Sequence, residues 1–412
     1  MKLLWLCNLM PAVVSEKISG KPGDGALWVD HVLADLRAME DMTIHILCPG
    51  DGDRGQVDEN CSFLSFHKDL PHIYTSGQEA VFCKEVADFQ PDVIHIWGTE
   101  YGHTLAMMQV AEKAGLLGRT IIGIQGLCSV IATHYTEGIP YRVQKGYTFR
   151  DLLRRDNILD QQKKFVKRGE YEEESLKMAR HVMGRTQWDR ACTGRLNKDR
   201  TYHFCNETLR TPFYEGSWKY DTCQKHRIFA SSCVYPVKGF HYLLEAFREV
   251  LKAYPDATLA VPGNSFFTVS KLRQSSYQKY LARLAAGLEG KIQFLGKLNE
   301  EQMKQAYLSA HVFVMPSTIE NSSNSLGEAM LLGMPCVASD VGGTRDLLTH
   351  EKEGFLYQST APYMLAYEIM KVFDMEEEAE ALGQAARAHA ARTHDPETNL
   401  KTLLSIYREV SR

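Results

Sequence analysis

Nowhere does this chain run apolar for the ~18 residues that a bilayer-crossing helix requires, so the sequence offers no membrane span. Its ten cysteines include no C-x-x-C pair, and most sit inside apolar runs, as Cys7, Cys48, Cys128, Cys233 and Cys336 do. That argues against a zinc site and matches a reducing compartment, where cysteine serves as a small core residue. Charge of neither sign prevails: 47 Lys and Arg against 51 Asp and Glu leave a formal −4, which argues against a nucleic-acid binder. The opening residues Met1–Cys7 imitate a signal peptide, but Asn8 and Pro11 interrupt the apolar run and no A-x-A-like cleavage site follows. The segment Lys2–Cys7 reads instead as a buried strand. The expected location is cytoplasmic, with peripheral contact at the inner face of a membrane kept open.

What the chain does have is alternation. Short apolar runs at Lys2–Cys7, Thr43–Cys48, Ser62–Phe66, Val93–Trp97, Ile121–Ile124 and His181–Thr186 are separated by amphipathic patterns such as Leu27–Met39, Gly77–Phe89 and Thr104–Ala114. The rhythm restarts at Ile228–Ser231 and continues through Thr258–Val261, Ile292–Leu295, Val312–Met315 and Cys336–Ala338. At 412 residues, two domains of about 200 are the natural division. The expected fold is α/β, with two doubly wound Rossmann-like domains facing across a cleft. The boundaries predicted are 1–205, a polar and poorly periodic linker at 206–222, a second domain at 223–392, and a final segment 393–412 that packs back on the first.

The most informative segment is Pro316–Met330. A strand ends at Pro316, a loop of small residues follows, and a helix is expected from Ser325, with Leu326, Met330 and Leu331 on one face and Gly333 at its end. A helix start offers unpaired N–H groups and the positive end of a dipole, which suit a phosphate. Ser323, Asn324 and Ser325 are small enough to let the backbone approach one. Glu320 and Glu328 flank that anion site, where they can accept hydrogen bonds from sugar or ribose hydroxyls. Lys238-Gly239 opens another helix after a proline turn; the lysine can reach a diphosphate, and the glycine permits a tight backbone.

These residues resemble the retaining family 4 glycosyltransferases of the GT-B fold. The resemblance rests on Glu320 and Glu328 inside "PSTIENSSNSLGEAMLLGMPCVASDVGGTRDLL", on "VYPVKGFHYLLEAF", on "IQFLGKLNEEQM" and on Gly342-Gly343, all in the second half of the chain. It implies a metal-independent enzyme without cofactor that moves a sugar from a nucleoside-diphosphate sugar to a glycan or lipid-linked acceptor, of the capsular or surface polysaccharide type. By carry-over, Lys238 neutralises the diphosphate, where a fixed cation counts most in the transition state. Glu320 contacts the donor sugar near its anomeric carbon, and Glu328 binds the ribose. Asn321, Ser323, Asn324 and Ser325 complete the donor loop, and Gly263, Asn264, Lys297 and Leu298 lie at strand ends where the base is expected. The family's arginine five or six residues before the lysine is absent; Ser232 and Cys233 stand there. An epimerase, a phosphorylase or a non-catalytic nucleotide-sugar-binding protein of the same architecture stays open beside this reading.

In the first half, Gly25 is the expected backbone approach within "GKPGDGALW". Gln125 stands where many relatives carry histidine, and glutamine hydrogen-bonds without titrating. Glu100 and His103 are the acceptor-side candidates, with a structural role for His103 the better reading. Two patterns are set aside: Gly50, Gly52 and Gly55 spell G-x-G-x-x-G without the helix that fingerprint needs, and Asp51-x-Asp53 in the same turn is a weak metal motif. Residues 142–168 carry nine Lys and Arg against three Asp and Glu, interleaved with aromatics. That stretch is open to an anionic membrane, to an acceptor bearing a lipid diphosphate, or simply to solvent.

Overall fold

Apolar runs buried on both faces are the signature of parallel sheets covered by helices, and the computed structural model contains two of them. It describes residues 1–412 apart from Pro22, Asp24, Gly25, Ala26, Lys68, Pro71 and the side chains of Leu27 and Trp28. The Gly25 expectation therefore lies outside the described residues. The first sheet comprises β1 (Lys2–Cys7), β2 (Thr43–Gly50), β3 (Arg54–Asp58), β4 (Cys61–His67), β5 (Val93–Trp97), β6 (Thr120–Gly123), β7 (His181–Gly184) and β8 (Thr201–Phe204). Its order is β3-β4-β2-β1-β5-β6-β7-β8, parallel except for the β3–β4 pair. The second comprises β9 (Arg227–Phe229), β10 (Thr258–Val261), β11 (Ile292–Phe294), β12 (Val312–Met315), β13 (Cys336–Ser339) and β14 (Phe355–Tyr357), ordered β11-β10-β9-β12-β13-β14 and wholly parallel.

Two compact units result: residues 1–132, 164–208 and 394–412 form the first, and residues 133–163 and 209–393 the second. This corrects the expected boundaries twice. Residues 133–163 group with the second unit, and two polar contacts tie them there. Asp151, fully buried, accepts from Ser276 N at 2.7 Å, and the Glu137 carbonyl meets His241 Nε2 at 3.1 Å. The expected linker is likewise structural: Phe213 and Trp218 are fully buried, and Trp218 Nε1 donates to Ala310 O at 2.7 Å. A buried indole of this kind contributes far more through its area than a linker needs.

The final helix, Pro396–Val410, lies in the first unit. Its Leu403, Ile406, Tyr407 and Val410 pack at helical spacing with Trp5 and the β1–β2 residues of that core. Trp5 Nε1 donates to the Tyr407 oxygen at 3.2 Å, and the Tyr407 hydroxyl meets His95 Nδ1 at 2.6 Å. Burial drives the His95 imidazole down to about 3, so it is neutral there and can accept that proton. The glycines at Gly50, Gly52 and Gly55 fall on the β2 end and the antiparallel β3, with no helix after them.

Candidate functional site

The site of the second unit is built by two backbone approaches. The turn Pro236–Lys238 ends at Gly239 in the left-handed conformation (φ 63°), and a Cβ there would overlap the Pro316 carbonyl oxygen. Only glycine allows this turn to lie against the end of β12, and Thr318 N donates to Val237 O at 2.8 Å across the contact. On the other side, Gly342 (φ 52°) has no room for a Cβ beside the Glu320 carbonyl oxygen, which accepts from Gly343 N at 3.1 Å. The loop from Pro316 to Glu320 is thus held at its two ends by two glycine turns.

The clamp sets the side chains. Lys238 Nζ donates to Glu320 Oε1 at 2.5 Å, and Ser317 Oγ donates to the same oxygen at 2.7 Å. The helix begins at Asn324, with Ser323 as N-cap, its Oγ accepting from Leu326 N, and runs to Leu331 before Gly333 turns left-handed. Its first N–H groups have no partner within the helix, and they lie four residues after a carboxylate already held by a cation.

Glu328, one turn inside that helix, is placed differently from expectation. It is buried, and Arg210 takes it with both prongs, Nε to Oε1 and Nη2 to Oε2, each at 2.7 Å. Burial pushes the Glu328 carboxyl up, and Arg210 draws it back. Burial alone would lower Arg210, but the bonds to Glu328 outweigh it and hold the guanidinium above its ordinary value. The two-pronged geometry is that of a charged pair. Sequence reading missed Arg210, which lies in the segment taken for a linker. The signal available was Glu328 itself: a carboxylate on the apolar face of a helix needs a cation. Ser232 and Cys233 supply none, and the buried Cys233 thiol is pushed up to about 11.

Gly263 and Gly296, both at positive φ, bridge to one another: Gly263 N donates to Gly296 O at 2.7 Å and Gly296 N to Gly263 O at 3.2 Å. This pins the ends of β10 and β11 together and leaves Asn264 and Lys297 exposed, with Leu298 packed on the core. Asn321 is buried in the loop after Glu320.

In the first unit the expected residues fall into two internal clusters. Glu100 accepts from Asn8 Nδ2 at 2.5 Å and Gly126 N at 2.9 Å, and Asn8 Oδ1 meets His103 Nε2 at 2.8 Å. Burial raises the Glu100 carboxyl, against the Gly126 amide and Arg168. His103 is buried at the start of the helix Gly102–Lys113 and serves that network. Gln125 Nε2 donates to Glu207 Oε1 at 2.5 Å, and Arg185 pairs with the same Glu207. Among the described residues no group of three or more His, Cys, Asp or Glu is placed to hold a metal ion, and no helix is long and apolar enough to cross a membrane.

Two parallel-sheet units with a glycine-clamped loop and helix start in the second define a GT-B fold, and comparison with known proteins agrees. Sucrose-phosphate synthase of Thermosynechococcus elongatus superposes with a TM-score of 0.71 at 16% identity, covering 100% of this chain and 99% of that one. Anabaena HepE in complex with UDP-glucose superposes at 0.68 and 18% identity, covering 98% and 99%. Residues 223–389 match the family model for glycosyl transferases group 1. Among curated proteins, the putative glycosyltransferase YtcC of Bacillus subtilis is 27% identical over 194 residues, 47% of each chain. The chain thus matches about half the length of that relative, in agreement with a resemblance concentrated in one half.

Proposed function

We propose that this protein is a glycosyltransferase that moves a sugar from a nucleoside-diphosphate sugar to a glycan or lipid-linked acceptor, with retention at the anomeric carbon and without a metal ion, in the manner of family 4. The observation that carries the reading is the Lys238–Glu320 pair ahead of the 324–331 helix start. A diphosphate laid on that helix start meets the first N–H groups and the Lys238 ammonium together. Lys238 would then leave Glu320 for the phosphate, freeing the carboxylate to accept from donor hydroxyls. As the glycosyl bond breaks, negative charge grows on the leaving diphosphate, so the lysine contributes more in the transition state than before it. Among the described residues around Glu320, Ser317 and Lys238 are both bonded to its carboxylate and no side chain is an obvious nucleophile, which favours same-face attack with the leaving phosphate as base. Surface polysaccharide synthesis is the setting that fits the family resemblance.

A chain of this fold has been crystallised with UDP-glucose, so UDP-sugars are the first donors to try. Thermal shift against a panel of nucleotide sugars tests binding, because a ligand held only by the folded state raises its stability. Lys238→Ala is expected to lower turnover by about 10²–10³ with the melting temperature little changed. No donor in the panel raising the melting temperature, or full turnover in Lys238→Ala, refutes the reading.

A further inference from the structure

The basic stretch 142–168 is divided by the structure. Arg168 is spent inside the first unit, donating to Glu100 O at 2.6 Å. The portion 141–155 belongs to the second unit and carries five Lys and Arg against one Asp. Within it the helix Phe149–Arg154 is inside out. Phe149, Leu152 and Leu153, at i, i+3 and i+4, share one face, and they are 55%, 65% and 71% exposed, while Asp151 is fully buried. The aspartate closes a capping box with Thr148 and accepts from Ser276 N, anchoring the helix to the start of the helix Ser276–Leu284. Tyr141 and Tyr147 are exposed beside it. Five of the sixteen large exposed hydrophobics among the described residues thus fall in thirteen consecutive positions. Scattered single exposures need no explanation, but a concentration of this kind does.

Between these segments lies a pocket of about 300 Å³ lined by Arg142, Tyr147, Thr148, Lys279, Tyr280 and Arg283, among others. No carboxylate lines it, and none of its three cations forms an ion pair with a described residue. Of the nearby acids, Asp151 is engaged as above and Asp156 by Arg150 at 3.1 Å, while Asp160 is held at 2.9 Å by the hydroxyl of Tyr147, itself a lining residue.

We propose that this face docks on a bilayer rich in anionic phospholipid, with a headgroup phosphate in the Arg142–Lys279–Arg283 pocket and Phe149, Leu152 and Leu153 entering the interface. An apolar stripe flanked by cations free of acidic partners is what such a surface selects. A protein partner of the same apolar complement would have to bring its own acids. The inference is independent of glycosyl transfer, since its test contains no nucleotide sugar.

The full chain should co-sediment with phosphatidylglycerol-containing vesicles at physiological salt and not with phosphatidylcholine alone, with partitioning weakened as salt rises. Arg142→Glu, Lys279→Glu and Arg283→Glu together should lower the partition coefficient at least ~10-fold, and Leu152→Asp with Leu153→Asp should lower it as well, each at an unchanged melting temperature because all five side chains are exposed. No retention on anionic vesicles, equal retention on phosphatidylcholine, or retention undiminished by the charge reversals overturns the proposal. So does stabilisation by inorganic phosphate without vesicle binding, or a dimer in solution that the leucine substitutions dissolve.

Discussion

Both units present a strand, a loop and a helix start, and they treat the helix start in opposite ways. In the first, Glu172 is fully buried against the helix Cys128–His134, accepting from Cys128 N, Ser129 N, Ser129 Oγ and Thr99 Oγ1 at 2.7–3.0 Å. The protein supplies its own hydrogen-bond acceptor there. In the second, two carboxylates stand near the helix Asn324–Leu331, and each is turned to a cation: Glu320 to Lys238, Glu328 to Arg210. No carboxylate of the described residues caps that helix; a serine does. The positive end of one helix is therefore answered by a buried carboxyl group, and the other, among the described residues, by no carboxyl group of its own. The difference separates the two helix starts more sharply than the loop sequences do.

The comparison breaks most readily at Arg210. Arg210→Ala leaves Glu328 buried without its cation, and removing one member of such a pair costs about 3–5 kcal/mol. A fall in stability of that size in urea unfolding is expected, with a much smaller loss when Glu328→Gln is added. If Arg210→Ala is stable on its own, Glu328 is not charge-locked, and it returns as a ready partner for a ribose.

A smaller loss tests the clamp. Gly239→Ala forces a left-handed turn on a residue with a Cβ and pushes it against the Pro316 carbonyl, at about 1–3 kcal/mol. The displaced turn carries Lys238 away from Glu320, so turnover should fall well beyond what the stability loss explains. Equal activity in this variant would show that Lys238 needs no such placement.

Much of the fold was legible because its central strands are buried on both faces: Lys2–Cys7 and Val312–Met315 read directly as apolar runs. The strands missed, β3, β8 and β14, lie at sheet edges; β3 and β8 are four or five residues long and bury only Val57 and His203, respectively, so they resemble turns. Trp218 looked like linker because its segment has no period, yet its burial is set by the helix and strand that cover it. Lys238 and Glu320 were each expected at the donor site, largely from the family resemblance, but their pairing with one another was not read from the sequence. The Arg210–Glu328 pair was not, since 118 positions separate its members and nothing local marks Arg210. The glycines were legible as tight turns but not as the two sides of one clamp.

The finest test lies in the charge of Glu172. Burial lifts its carboxyl from the ordinary 4.5 to about 7, against the pull of its four donors. The folded chain then keeps a proton that the unfolded chain has already lost, so the unfolded state binds fewer protons between those two values. Stability must therefore fall as pH rises from about 4.5 to about 7 and level off above, the sign opposite to that of a salt-bridged carboxylate. Glu172→Gln keeps the shape without the titration and turns an amide N–H₂ toward donors, at about 1–3 kcal/mol. Measured by thermal melting, the deficit of this variant should be largest near pH 5 and narrow toward pH 8, as the wild-type carboxyl ionises at a cost the glutamine never meets. A deficit that widens instead would mean that the donors hold Glu172 ionised throughout, and the first helix start would then be answered by a full charge.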